Sequence, residues 1–97
     1  MDHIRVGIYT RLSGTPKELA DQAREGMLGV FRAHAGFRAY GLAETPEGKI
    51  ISVSLWESAE EAEKANELAA AWVREHIADR VRLDSTQVGD FLFYETA

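Results

Sequence analysis

KIISVSLWESAEEAEKA, residues 49–65, contains a change of hydrophobic period that decides the fold. Over 49–56 aliphatic residues alternate with serine and tryptophan, and a period of two predicts a β-strand. Ser58 and Glu61 then form a capping box, which opens a helix. Alanines at helical spacing continue that helix to about Asp79. This stretch therefore predicts a strand that runs directly into a long helix.

The flanking segments supply the other elements of a ferredoxin-like domain. A proline- and glycine-containing turn at 45–48 joins this strand to an earlier one over 37–44, as a hairpin. Before the hairpin, a strand over 3–12 precedes a helix that Thr15 caps and Gly36 ends. A last strand is predicted over 88–95. The order strand, helix, strand, strand, helix, strand is the split βαβ pattern of an α+β ferredoxin-like fold.

This fold predicts one domain over 1–97, with an antiparallel sheet ordered 4-1-3-2 and both helices on one face. Both faces of the predicted strands carry apolar side chains, and two helices cover only one face. A second copy related by twofold symmetry is the simplest cover, so we expect a homodimer. A charge at Phe91 or Leu92 in the last strand is then expected to split it. The alternative is that the second face is an ordinary amphipathic surface.

Composition excludes several classes of protein. The 97 residues carry 11 lysines and arginines against 16 acidic residues, a net charge of −5, so neither nucleic acid nor an anionic membrane is an expected partner. There is no cysteine, which excludes disulfides, thiolate zinc sites and iron–sulfur clusters. The sequence has no apolar run of about 20 residues and no signal-peptide pattern, so the default location is the cytoplasm.

His76 is the leading candidate for chemistry. Helical winding places it on the apolar arc of the second helix, one turn after Trp72 and among alanines. An imidazole facing a pocket would serve as a general base near neutral pH. The alternative is a histidine that only stabilises the helix C-terminus. Asn66 lies at the edge of the same arc and would offer an amide to a substrate. The strand residues expected opposite this helix are Val6, Ile8, Val53 and Leu55.

For the other polar and aromatic residues the sequence allows more than one role. Arg38 and Tyr40 are expected to share a face of the second strand and to bind an acidic or phenolic ligand. Arg5 and Arg11 are similarly ambiguous. Ser52 and Ser54 have no base at a recognisable spacing, which argues against a serine nucleophile. The histidines lack zinc-ligand spacing, so we expect no metal. The aromatic residues that would line either a pocket or a dimer core are Trp56, Tyr9, Tyr40 and Tyr94.

Three of these segments resemble antibiotic-biosynthesis monooxygenase-like domains of the dimeric α/β-barrel group. They are Gly36-Phe37 after the first helix, the run 53–58 into Trp-Glu-Ser, and the alanine- and glutamate-rich helix that includes 66–75. The resemblance spans nearly the whole chain. It implies two ferredoxin-like chains whose sheets pair into a barrel, with a pocket in each chain between helices and sheet.

The resemblance also implies an activity, cofactor-independent oxygenation of an aromatic molecule. A base removes a phenolic or enolic proton, and the resulting anion reacts with oxygen. His76 would be the base, with Trp72 and Asn66 as positioning groups, and no cofactor is expected. The haem-degrading branch differs, because it needs an asparagine on the first strand and a wider spacing than that of Trp72 and His76. The alternative is a non-catalytic ligand-binding or structural dimer.

Overall fold

The computed structural model describes residues 2–97, which form a four-stranded antiparallel sheet packed against helices. The strands lie in the order β2-β3-β1-β4, which confirms the predicted ferredoxin-like α+β topology. The elements in chain order are β1 His3–Arg11, α1 Pro16–Glu25, α2 Met27–Arg32, β2 Phe37–Glu44, β3 Lys49–Trp56, α3 Ala59–His76 and β4 Val81–Asp90.

The predicted first helix is two helices that meet at Gly26. Thr15 caps α1 as expected, since its side chain accepts a hydrogen bond from the backbone N–H of Glu18. The indole ring of Trp72 on α3 lies against Gly26, where a Cβ atom would be 2.5 Å from the ring. The chain therefore bends around the tryptophan, and glycine is the residue that permits this approach.

The last strand lies earlier than predicted. It pairs with β1 from Arg11↔Val81 to His3↔Asp90, so Phe91 and Leu92 follow the strand instead of lying within it. Polar side chains dominate β4, and this hid the strand pattern in the sequence. Leu92 is 96% exposed. The expectation that a charge at these two positions would act from within the sheet is therefore wrong.

The two faces of the sheet differ sharply in chemistry. The face against the helices buries Arg5 and Tyr9 of β1 and Ser52, Ser54 and Trp56 of β3. Tyr9 and Trp56 belong to the same buried core cluster as the small alanines of α3. The opposite face is aliphatic and partly exposed. It carries Ile4, Val6 and Ile8 directly across from Leu55, Val53 and Ile51.

The expectation that Val6, Ile8, Val53 and Leu55 face α3 is therefore wrong. A period of two specifies which residues share a face, but it does not specify which face the helices cover. The side chains that contact the helices are the aromatic and polar ones at the alternate positions of each strand. This assignment places a buried arginine under the helices, and no element within residues 2–97 covers the aliphatic residues.

Asp84 ties β4 to its neighbours. Its Oδ2 accepts hydrogen bonds from Thr10 (2.6 Å) and Lys49 (2.8 Å), and its Oδ1 accepts one from Arg82 at 3.2 Å. These donors, Lys49 first, lower the pKa of Asp84 from 3.8 to about 2. Because the folded pKa lies below the unfolded one, the stabilisation is present above about pH 4 and is lost as the pH falls through 2.

We expect Asp84→Asn to lower the melting temperature at pH 7 and to have little effect at pH 2. The exposed position of Asp84 keeps the effect small at pH 7. Thermal melts of both proteins at the two pH values measure it. Asp79→Asn, at an exposed aspartate in the turn after α3, is the matched control. An equal loss from Asp84→Asn at pH 2 would contradict the prediction.

Candidate functional site

A largely apolar cavity lies between the helices and the sheet. Leu19 and Ala23 of α1 and Trp72 of α3 form its helical wall. Tyr9 and Tyr40 line it from the sheet. About 40 Å³ is free for the centres of water-sized molecules, which is room for about three waters. The polar side chains of its lining are Tyr9, Tyr40 and Ser52.

Directly behind this lining lies the buried guanidinium of Arg5. The side chain is 0% exposed. Its Nε donates to Ser54 Oγ at 2.8 Å and its Nη2 donates to Ser52 Oγ at 2.6 Å. The strand register explains both bonds, because Arg5 is paired with Ser54 and Gly7 with Ser52. The guanidinium carbon also lies 5.4 Å from the centre of the Phe31 ring, at cation–π distance.

Gly7 makes room for the charged group. A Cβ atom at this position would lie 3.3 Å from Arg5 Nη1 and 3.1 Å from a ring carbon of Tyr9. A glycine inside a strand often marks such a close approach. Arg5 Nη1 itself is buried, and no acceptor among residues 2–97 meets it in good hydrogen-bond geometry. The Tyr9 hydroxyl is the other oxygen that acts on the guanidinium, and it carries no charge.

The charge of Arg5 is not balanced by the groups around it. Burial lowers the Arg5 pKa, and the groups that act against this are the phenols of Tyr9 and Tyr40. Burial in turn raises the pKa of Tyr9, and it raises that of Tyr40 to about 12. Both phenols are therefore neutral at pH 7. We call these groups the guanidinium cluster, which consists of Arg5, Tyr9, Tyr40, Ser52 and Ser54. The cluster carries one net positive charge.

Trp72 is where the sequence predicted it, and His76 is not. Trp72 is buried in the cavity wall. His76 is the last residue of α3, is exposed, and stacks on the outer side of Trp72 with ring centres 5.0 Å apart. The expectation that His76 is the polar group of the cavity is wrong, because the helix ends there and the ring leaves the lining. Its catalytic role stays an untested prediction.

The other predicted binding residues do not meet at one place. The Oδ1 atom of Asn66 is buried without a hydrogen-bond partner, but Asn66 is not part of the cavity wall. A register irregularity of β2 skips Arg38, which is exposed and lies 3.7 Å from both Asp2 and Glu57. Tyr40 instead faces the helices, with its ring against Phe31. The irregularity therefore separates the predicted pair of Arg38 and Tyr40.

Sequence reasoning left Arg5 undecided and excluded Ser52 and Ser54 only as nucleophiles. A signal was present in the strand pattern. Arg5, Gly7 and Tyr9 share one phase of β1, and the serines of β3 occupy the phase that pairs with it. A charged residue, a glycine and an aromatic residue at alternate positions of one strand share a face, and this combination indicates a buried polar cluster. The pattern could not tell which phase lies inside.

No helix within residues 2–97 is both long and apolar enough to cross a membrane. In the same range, no group of three or more histidine, aspartate and glutamate side chains is arranged to hold a metal ion.

Comparison with solved structures supports the fold assignment. MhuD, in a structure with two manganese protoporphyrin IX molecules bound per active site, is 18% identical and matches with a TM-score of 0.71, covering 98% of this chain and 99% of that one. A proposed antibiotic biosynthesis monooxygenase from Chloroflexus aurantiacus is 14% identical, with a TM-score of 0.62 and coverages of 99% and 98%. A NIPSNAP-like domain protein from Burkholderia xenovorans is 15% identical, with a TM-score of 0.66 and coverages of 99% and 90%.

No protein-family model matches the sequence, and none of the curated proteins matches it. The structural matches confirm the resemblance to antibiotic-biosynthesis monooxygenase-like proteins at the level of the fold. At these identities they do not carry an activity over to this chain. The residues here do not fit a haem, because the cavity holds about three waters and His76 lies outside it.

Proposed function

We propose that this protein binds a small apolar or aromatic molecule in the cavity between helices and sheet, and that it acts as a homodimer. The observation that carries the proposal is a cavity with an almost wholly apolar surface, whose polar lining residues Tyr9, Tyr40 and Ser52 all come from the sheet, beside Arg5. Such a combination is typical of small-molecule sites. A cytoplasmic location and the absence of nucleic-acid and membrane partners stay predictions from composition.

The uncovered sheet face supports the dimer. Six branched aliphatic side chains lie on it in register, and they are only partly buried. A continuous apolar patch of this kind marks an interaction surface. A second copy is the partner that we propose, because the same face on both chains is self-complementary under twofold symmetry. The dimeric barrels that the family resemblance implies pair their sheets in this way.

The enzymatic form of the proposal is a monooxygenase that uses no cofactor. The substrate loses a phenolic or enolic proton, the resulting anion adds dioxygen at a C–H carbon and takes up a proton to form a hydroperoxide, and loss of water leaves a carbonyl group at that carbon. The lining groups Tyr9, Tyr40 and Ser52 are neutral at pH 7, so they are poor bases for the first step. The geometry therefore favours a binding protein, or an oxygenase whose substrate arrives as an anion.

Filling the cavity tests the binding proposal. Toluene should bind the protein and quench the fluorescence of Trp72, and Ala69→Leu should abolish both signals, because Ala69 is a buried lining residue. Ala59→Leu, at the exposed first residue of α3, is the control for adding the same side chain. Titration calorimetry and circular dichroism report binding and folding. Equal binding by the wild type and a folded Ala69→Leu variant would contradict the proposal.

His76→Ala separates the two assignments of the site. Because His76 lies outside the cavity lining, we expect its removal to change toluene affinity by no more than about twofold. If a turnover is found, dioxygen consumption by this variant tests the catalytic role predicted from the sequence. Loss of turnover with an intact fold would support His76 as the base, and retained turnover would exclude it.

A further inference from the structure

We propose that the cavity selects a monoanionic ligand, an apolar body with one delocalised oxyanion that docks against the hydroxyl groups in front of Arg5. This inference rests on the proposed function and adds the chemical class of the ligand. The candidates are a carboxylate, an enolate or a phenolate, and the shared feature is one negative charge spread over oxygen.

The buried charge of Arg5 favours an anionic ligand. An arginine stays protonated in proteins, and a buried charge without a counterion is costly. The Arg5 side chain is fully buried, and the groups that act on it are neutral phenols and serine hydroxyls instead of carboxylates. A buried ion is normally paired. An anion in the adjoining cavity would supply the missing partner, and one guanidinium balances one negative charge.

Hydrogen-bonding capacity also favours a ligand that accepts. Ser54 Oγ accepts from Arg5 Nε and from Trp56 Nε1, each at 2.8 Å, so both of its acceptor positions are occupied. Ser52 accepts from Arg5 Nη2 and is also hydrogen-bonded to Tyr40. Tyr9 interacts with the Arg5 guanidinium through its oxygen, so its hydroxyl hydrogen, at the cavity lining, remains to be donated. A cluster rich in donors and poor in acceptors fits a ligand that only accepts.

The cavity lining favours a ligand with a large apolar part. Apart from Tyr9, Tyr40 and Ser52, the lining is hydrocarbon or indole. These three residues lie on β1, β2 and β3, and Trp72 and Leu19 form the helical wall. A ligand with one charged end and one apolar end matches this polarity. The free space of about 40 Å³ is smaller than the roughly 150 Å³ of a dry cavity that binds benzene, so a single ring enters only as α1 and α3 move apart.

A probe that ionises near neutral pH reports directly whether the site prefers an anion or a neutral molecule. 4-Nitrophenol ionises near neutral pH, and its phenolate is yellow. A site that prefers the anion lowers the pKa of the bound probe, whereas a neutral apolar cavity raises it. We expect the phenolate to bind at least about tenfold more tightly than the phenol, which lowers the pKa of the bound probe by about 1 unit. Nitrobenzene, which cannot ionise, reports binding to the apolar part alone.

Removing the guanidinium charge should reverse the preference. Arg5→Met keeps much of the side-chain volume, and replacing an unpaired buried charge with an apolar group need not destabilise the fold. In this variant the pKa of bound 4-nitrophenol should return to its free value or exceed it, with nitrobenzene affinity retained. Arg32→Met, at the exposed end of α2, removes one positive charge elsewhere and should leave both probes unchanged. If Arg5→Met does not fold, Arg5→Lys still tests the charge and should keep the lowered pKa.

The outcomes separate the two proposals. Binding of nitrobenzene with a lowered probe pKa that depends on the charge at position 5 supports both. Binding of both probes with an unchanged or raised pKa in the wild type overturns the anion preference and leaves the cavity proposal standing. A lowered pKa that persists in folded Arg5→Met also overturns it. If neither probe binds at millimolar concentration, the binding proposal itself fails.

Discussion

Val53→Asp should convert the proposed dimer into monomers. Val53 lies across from Val6 on the uncovered aliphatic face, near the middle of β3. The twofold relation places a new carboxylate from each chain in one apolar interface, and like charges brought together there cost several kcal/mol. We expect the dissociation constant of the dimer to rise by about a thousandfold or more. Analytical ultracentrifugation over a range of concentrations measures it.

The control for this substitution places the same charge outside the sheet. Ala78→Asp adds an aspartate at an exposed position of the turn after α3 and should leave the mass of the dimer unchanged. Circular dichroism confirms that Val53→Asp remains folded. A wild-type protein that sediments as a monomer at micromolar concentration would exclude the dimer. A folded Val53→Asp dimer would show that another surface forms it.

Gly26→Ala should destabilise the protein, and Gly29→Ala should stabilise it. A Cβ atom at Gly26 would lie 2.5–2.7 Å from atoms of the Trp72 ring, which is buried and packed in the core. We expect a loss of about 1–3 kcal/mol from this overpacking. At Gly29 in α2 no atom lies within 4 Å of the added Cβ, so helix propensity decides, with a gain of about 0.5–1 kcal/mol.

Thermal melts at one protein concentration test the pair, because dimerisation makes the melting temperature depend on concentration. The two glycines are only three residues apart. Opposite changes in stability therefore cannot come from a general effect of alanine in this region. A shift of about 4–8 °C is expected for each kcal/mol. If Gly26→Ala melts at the wild-type temperature, the Trp72 ring shifts without cost to accommodate the added Cβ atom, and the predicted overpacking is wrong.

The sequence predicted the elements that have strong local signals. β2 and β3 have the predicted bounds of 37–44 and 49–56, because a turn with proline and glycine separates two alternating segments. The capping residues Thr15 and Ser58 mark the starts of α1 and α3 as expected. Element order then leaves few topologies, and the observed sheet order is the predicted one.

The candidate site was predicted only in part. Trp72 lines the cavity because helical winding places it reliably on the buried side of α3. His76 has the same phase, but the helix stops at that residue, and a few residues of error at a helix end decide whether a side chain is inside. Arg38 was displaced by a register irregularity of β2, which no local pattern indicated.

Local sequence thus determined the strands of the hairpin, the helix starts and the order of elements, because these depend on neighbours within a few residues. Tertiary structure alone decided which phase of each strand faces the helices, since alternation is the same in both cases. It also decided the position of β4, whose polar residues become a strand only by pairing with β1. The guanidinium cluster belongs to this second group. Arg5, Tyr40 and Ser52 lie on three different strands, and only the packing of helices over that face buries a charge that has no ion pair among residues 2–97.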